Sequence, residues 1–444
     1  MCHVILVLSC IICMQTDDKK TPNPVELEER ARKGSQAALE GLTTIHTPEA
    51  TQAIVRLLAH DNPAFALKVG EALLKRMPNP DLIRDKGIVG SPPYSDTRGA
   101  RKQLIAAAWR PEFAPAVRKI ATEWLASKDW AMVACGARML YSVGEALDGA
   151  EVLRAVNRTL DDPQLEKPPV AGKIVPQKAL YELEFALRQL VIRGLPIPPQ
   201  PATPAEALAY AIAIDRQRNF HPTNWETVYA SILQSSHPRV RVLSVGYLPY
   251  AIPDSLQAQL GQLLLDKDKE IQRAACWRIG SGIQGNYIPQ LREVLRTAHD
   301  EAILDRAIRV AEVNKLERWE HLQLWISRLD EEGMTPIALR HLAEMVIEDV
   351  WCSRRPTREM LDLAAGRECK ALWTAFLKDH EATLRKGKFK LGDPALKPEL
   401  FPEFKFERIE VEEIPPELLA IGPCESGGLA MQSLTKELIT RDFD

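Results

Sequence analysis

The sequence predicts an all-α chain in which short helix pairs stack into an α-solenoid. Three observations predict it. Apolar residues recur at helical spacing, Thr-Pro and Asn-Pro pairs mark helix starts, and a polar joint returns at intervals of 32 and 33 residues.

The stripes come first. Leu256, Leu260, Leu263 and Leu264 stand at i, i+4, i+7 and i+8, and Ile303, Ala307, Val310 and Ala311 repeat that spacing. Leu180, Leu183, Leu187, Leu190 and Val191 line one face of a helix expected over roughly 178–193, and Trp319, Leu322 and Ile326 line another. Strand-like alternation is nearly absent before residue 400, although FKFERIEVEEI in the tail suits a short strand. Helix starts are read at Thr47-Pro48, Asn62-Pro63, Thr203-Pro204 and Thr335-Pro336. There a side-chain oxygen accepts a first-turn amide, and proline lacks an N–H that would go unpaired anyway. Glu206 completes a capping box with Thr203.

The joint is clearest in SILQSSHPRVRVLSVGYL, LLLDKDKEIQRAACWRI and VLRTAHDEAILDRAIRVA, where Arg241, Arg273 and Arg306 hold equivalent places. Looser copies occur near residues 60 and 128. A lone pair at this spacing cannot bury its apolar stripe, so successive pairs must stack. The run Asp266-Lys267-Asp268-Lys269-Glu270-Ile271-Gln272-Arg273-Ala274-Ala275 resembles the turn of a HEAT-like repeat. The resemblance is good over 228–312, partial over 45–150, and broken at 160–200 by two Pro-rich stretches. It implies an architecture and no chemistry. In such arrays the repeat arginine ties neighbouring turns, and Asp266, Asp268, Asp300 and Asp305 are at hand.

The expected organisation is a signal segment over 1–16, a polar tether and first helix over 17–44, and N-terminal repeats over 45–160. A Pro-rich interruption with one helix follows over 161–204, then repeats over 205–384 and a Pro-rich, charged tail over 385–444. Trp373, Phe376, Leu377, His380, Leu384 and Gly387 resemble a closing segment seen after helical repeats in some bacterial envelope proteins. Residues 4–14, VILVLSCIICM, are too short to span a bilayer, which needs about 20 apolar residues. Val7-Leu8-Ser9-Cys10 resembles a bacterial lipobox, which implies a lipid on Cys10 and a place in the bacterial cell envelope. The segment before it departs from that pattern in carrying only His3 as a basic group, which keeps a cytoplasmic alternative open.

Composition bounds the partners. Lys+Arg number 57 against 60 Asp+Glu, a net charge of −3, so nothing electrostatic singles out nucleic acid. Eight cysteines, three of them in the first thirteen residues and the rest scattered, do not make a disulfide framework and read as buried thiols. No histidine sits in a zinc spacing; His341 and Glu344 are i, i+3 and read as a surface pair. Gly280-Ser281-Gly282-Ile283-Gln284-Gly285 spells a dinucleotide fingerprint but follows a helix, so it reads as a loop with Gly280 ending that helix. Arg385-Lys386-Gly387-Lys388-Phe389-Lys390 reads as a solvated chain exit. No catalytic, cofactor-binding or metal-binding residue is expected.

Of the nine tryptophans, Trp277 and Trp325 stand off their helices' stripes. Such rings either bind a partner or pack into the next repeat. The expected function is a non-enzymatic scaffold that binds another protein, membrane-tethered or cytosolic. The alternative is an enzyme resembling HEAT-like bilin lyases or nucleic-acid-modifying proteins, which needs a cleft with clustered Asp, Glu, Arg or His.

Overall fold

A computed structural model describes residues 23–78, 108–165, 167, 175–217, 220–283, 285–348, 350–354, 363–402 and 405–408. The chain is all-α in class and forms two compact units, 1–314 and 315–444. Residues 161–204 therefore lie inside the first unit, and the division falls at Asn314 and Lys315.

The first unit is made of α1 (Pro24–Arg32), α2 (Gln36–Thr44), α3 (Pro48–Leu57), α4 (Pro63–Leu74), α5 (Ala114–Leu125), α6 (Trp130–Val143), α7 (Gly149–Leu160) and α8 (Pro176–Ile192). It continues with α9 (Pro204–Arg216), α10 (Trp225–Leu233), α11 (Pro238–Gly246), α12 (Asp254–Leu263), α13 (Lys269–Gly280), α14 (Ile288–Thr297) and α15 (Glu301–Val313). Several starts follow the expected chemistry. Thr47 Oγ1 accepts from Ala50 N at 3.3 Å, Asn62 Oδ1 from Ala64 N at 3.0 Å, and the Thr203–Glu206 box is complete.

Helices within a pair pack on each other, and helices two places apart pack as well. First helices meet in α1–α3, α5–α7 and α10–α12; second helices meet in α2–α4–α6–α8 and again in α11–α13–α15. The odd helix is α9. Its sequence PAEALAYAIAIDR is apolar on every side, and Ala205, Leu208, Tyr210, Ala211, Ile212 and Ala213 are all fully buried. A helix of that kind has no solvent face to keep. It packs against α7, α8, α10 and α11, and so replaces a pair where the Pro-rich stretches interrupt the period.

Arginines tie successive pairs in two ways. Arg241 reaches Asp266 at 2.7 Å and Arg273 reaches Asp300 at 2.7 Å. Each of those aspartates also holds its own turn, accepting from Asp268 N and Ile303 N. Arg118 does the same with Asp148 at 2.8 Å. Other arginines reach back to carbonyls at the end of an earlier helix: Arg76 to Leu42 O at 2.5 Å, Arg158 to Leu125 O at 2.7 Å, and Arg278 to Leu248 O. Leu42 O accepts from the Ile45 amide as well, and the other two carbonyls stand at helix ends, where backbone donors run out. Arg306 does not supply the expected third rung. It is exposed on α15, the last helix of its unit, so no turn acid of a following pair in that unit stands beyond it.

The second unit comprises α16 (Arg318–Ser327), α17 (Thr335–Val346), β1 (Val350–Arg354), α18 (Leu363–Asp379), α19 (Glu381–Lys386) and β2 (Lys405–Arg408). The strands pair antiparallel with Val350 opposite Arg408 and Cys352 opposite Phe406. The tail strand was legible in FKFER; its partner β1 was not. Thr335 is not a helix cap either: its hydroxyl donates to Leu329 O at 2.7 Å, and Met334 takes the cap position. The core gathers Trp373, Phe376, Leu377, Leu384, Phe389 and Phe401. Trp373 Nε1 donates to Leu400 O at 2.9 Å. The basic run is strapped down in this unit: Phe389 N donates to Val346 O, Lys388 Nζ to Glu344 O, and Arg385 lies over the Trp319 ring.

Candidate functional site

The second helices of the first unit carry its most distinctive surface. On α8 the stripe Leu180, Leu183, Leu187 and Leu190 is buried, which turns Lys178, Tyr181, Phe185 and Arg188 toward the other side. Tyr181 is 51% exposed. On α6, Arg138 and Tyr141 occupy the facing positions, and Leu74 and Met77 close the site from α4 and its end. Together they line a pocket of about 390 Å³. Phe185 lies between Tyr181, at 4.8 Å, and Tyr141, which meets it edge-on at 5.9 Å. Lys178 Nζ sits 4.8 Å over the Tyr181 ring and Arg188 4.6 Å over Phe185. Glu182 holds the cations, with Lys178 at 2.5 Å and Arg138 at 3.9 Å. Such a site takes an amphipathic side chain: rings receive its apolar body and the charged tips its polar end.

One step along, a polar cluster fills the seam of α8, α9, α11 and α13. Tyr247 Oη donates to Glu184 Oε1 at 2.6 Å. Burial pushes the Glu184 carboxyl above its usual range, opposed by that hydrogen bond and by Arg188. Asp215 is raised for the same reason, opposed by Arg216, Arg278 and Arg188. Arg278 is 4% exposed and lies 4.5 Å over the ring of Tyr250. The structure thus brings Glu184, Arg188, Asp215, Arg216, Tyr247 and Arg278 together, a gathering of charged groups that no sequence spacing announced.

The residues singled out by sequence divide sharply. Trp277 is 47% exposed on α13. Trp325 is 1% exposed and stacks on His341 with ring centres 4.6 Å apart, so it serves the second core instead of a surface. The reason is the helix face. The buried row on α16 is His321, Leu322, Trp325, Ile326, with Leu329 beyond it, and Trp319 is the ring that leaves it. His341 is also buried, at 3.6 Å from Glu344, which corrects the surface reading of that pair. Burial and the neighbouring His341 hold His321 down to about 4. Cys135, Cys276 and Cys369 are free and buried, and burial pushes the first two up to about 12. Gly280 ends α13 as expected, with Gly282 beyond it at φ +107°. Cys10 lies outside the described residues. Among the described residues no three His, Cys, Asp or Glu side chains could hold a metal ion, and no helix is long and apolar enough to cross a membrane.

Tyr141, Tyr181 and Phe185 were missed. Their signal was present: Tyr181 and Phe185 are i, i+4, off the leucine stripe, with cations at 178 and 188. What sequence could not show is that α6 and α4 complete the walls.

No family model matches the chain, and no curated protein matches it. Among solved structures it is similar to the crystal structure of an engineered protein from the Northeast Structural Genomics Consortium. That likeness has 17% identity, covers 60% of this chain and 98% of the other, and has a TM-score of 0.28. A score that low carries no argument about fold or function.

Proposed function

We propose that the chain is a non-enzymatic interaction scaffold built from HEAT-like repeats, which binds another protein on the face of its second helices. The observation that carries this reading is the aromatic pocket of Tyr141, Tyr181 and Phe185 with its cations, together with the exposed rings of Tyr250 and Trp277 farther along. Large rings held by neighbouring cations lose little freedom on binding, which is why aromatic and Arg positions dominate interface energetics. The Glu184–Asp215 cluster favours a second reading, acid–base chemistry. Its groups are largely tied to one another, with Glu184 on Tyr247 and Arg278 on the Leu248 carbonyl, and this supports a packing seam over a reacting centre.

The test is site-directed photo-crosslinking in the native host. A photoreactive residue at position 181 or 277 should give discrete protein adducts, and one at Val25 or Leu147, exposed elsewhere, should not. Adducts absent from both face positions would sink the scaffold reading. Membrane tethering is a separate part of the proposal and rests on Val7-Leu8-Ser9-Cys10. Cys10→Ser should move the protein from the membrane to the soluble fraction; unchanged fractionation overturns it.

A further inference from the structure

The end of the first unit carries a second surface of different charge. On α13 the outward row is Glu270, Arg273, Trp277 and Ser281, spaced by three, four and four residues. On α15 the outward row is Ala302, Arg306 and Arg309. Two observations align the helices. A Cβ placed on Gly280 would stand 3.0 Å from Val310 Cγ2, so the helices approach closely there. The charge of Arg306 also acts on the Cys276 thiol, against the burial that raises it. Residues 280 and 310 are therefore level, and the 1.5 Å rise per residue common to both helices puts Trp277 within about a turn of Arg306 and Arg309.

The basic groups there differ in their partners, and Asp305 flanks Arg306 on α15. Glu270 is engaged, at 2.8 Å from Arg273 and 3.9 Å from Arg239. Asp300 is taken by Arg273. The guanidinium groups of Arg306 and Arg309 are exposed and take no ion pair among the described residues. On the opposite flank Arg278 is capped by Tyr250, itself 62% exposed, and Gly246 leaves open space beside it. The patch therefore presents an apolar ring, a second ring and two guanidinium groups that take no ion pair among the described residues.

We infer that the Trp277–Arg306–Arg309 patch is a docking site for an acidic, aromatic-containing peptide segment of a partner protein. This rests on the scaffold reading and names the partner's chemistry. Carboxylates of the segment would pair with the guanidinium forks, in the geometry that favours arginine over lysine, while its apolar side chain covers Trp277. Arg306 is then kept without an internal partner because its partner comes from outside. In the interior of the array the equivalent Arg241 and Arg273 are spent on Asp266 and Asp300.

The experiment uses the full chain on a peptide array in which net charge and aromatic content vary independently, followed by fluorescence anisotropy with the strongest binder. Acidic peptides containing Trp, Phe or Tyr should be selected. The double variant Arg306→Ala/Arg309→Ala, and separately Trp277→Ala, should weaken binding by about 10-fold or more, while Leu147→Ala, exposed elsewhere, leaves it unchanged. Affinity should fall with added salt. All substituted side chains are exposed, so unchanged circular dichroism is expected. Selection of basic or neutral peptides overturns the proposal, as does binding indifferent to the double variant. Preference for a DNA oligonucleotide or a phosphatidylserine vesicle over every acidic peptide also overturns it. If position 181 still crosslinks a partner while acidic peptides fail, this inference falls and the scaffold reading stands.

Discussion

The two units are both helical, yet they are held together by different means. Among the described residues up to Asn314 one solution recurs: a helix pair, an acid in a turn, and an arginine from the pair before. Arg241–Asp266 and Arg273–Asp300 are versions of a single contact, partly exposed and individually modest, while Arg118–Asp148 is a more buried tie of the same chemistry. Among the described residues from Lys315 onward no such tie repeats. Trp325, His321, His341, Arg340 and Arg328 are buried together on two helices, and Trp373 anchors the segment that ends in β2. The array spreads its polar ties over many small contacts. The second unit instead buries its polar groups close together, with His321 Nε2 and Trp325 Nε1 given no hydrogen-bond partner among the described residues.

The largest test of that contrast is Trp373→Ala. Removing a fully buried ring and its hydrogen bond to Leu400 should cost about 4 kcal/mol. In calorimetry the transition of the second unit should drop steeply while that of the first stays in place. A shared downward shift would mean that the two unfold as one.

Acid is the next probe, and the two units should answer it with opposite signs. The folded His321 refuses a proton until about pH 4, whereas an unfolded histidine accepts one near 6.5. Between those values the unfolded chain binds more protons, so the stability of the second unit falls by up to about 3 kcal/mol as pH drops through that window. His321→Phe should flatten the dependence. In the first unit Glu184 and Asp215 hold protons above the values they have when unfolded. Their contribution is present at low pH and is lost as pH rises through the folded values. Glu184→Gln should therefore reduce the loss of stability on the alkaline side of that titration. A first unit that weakens at low pH through these groups would contradict the assignment.

Smaller effects test the repeated ties. Arg241→Ala should cost about 1 kcal/mol, and Arg273→Ala a similar amount. The pair in combination should be close to additive, because each arginine has its own acid. Strong coupling in a double-mutant cycle would show one network instead of separate rungs. Smallest of all, Lys315 follows α15 with φ +63°, where a side chain is disfavoured. Lys315→Gly should stabilise by up to about 1 kcal/mol, measured by the denaturant midpoint of either unit.

Much of the first unit was legible. Helix starts at Thr47, Asn62 and Thr203 could be placed because capping depends on residues within four positions of one another. The same reading failed at Thr335, where a distant carbonyl, Leu329 O, won the hydroxyl. Trp325 failed for a related reason. Its stripe was anchored on Trp319, and only the packing of α16 shows that the buried row runs through His321 and Trp325. The pocket at Tyr141, Tyr181 and Phe185 needs walls from three helices spread over more than a hundred residues, which no local pattern encodes.

The stacked helix pairs on which the reading began are in that sense half a sequence property. Period, caps and stripes determined that the chain is helical and that its helices come in pairs, because those signals are set by neighbours along the chain. Tertiary structure decided which arginines are tied and which remain exposed. Arg241, Arg273 and Arg306 are equivalent in sequence, yet only the first two have a following turn acid within their unit. A side chain's partner is fixed by what stacks against it in space, and the sequence period does not say where the stacking ends.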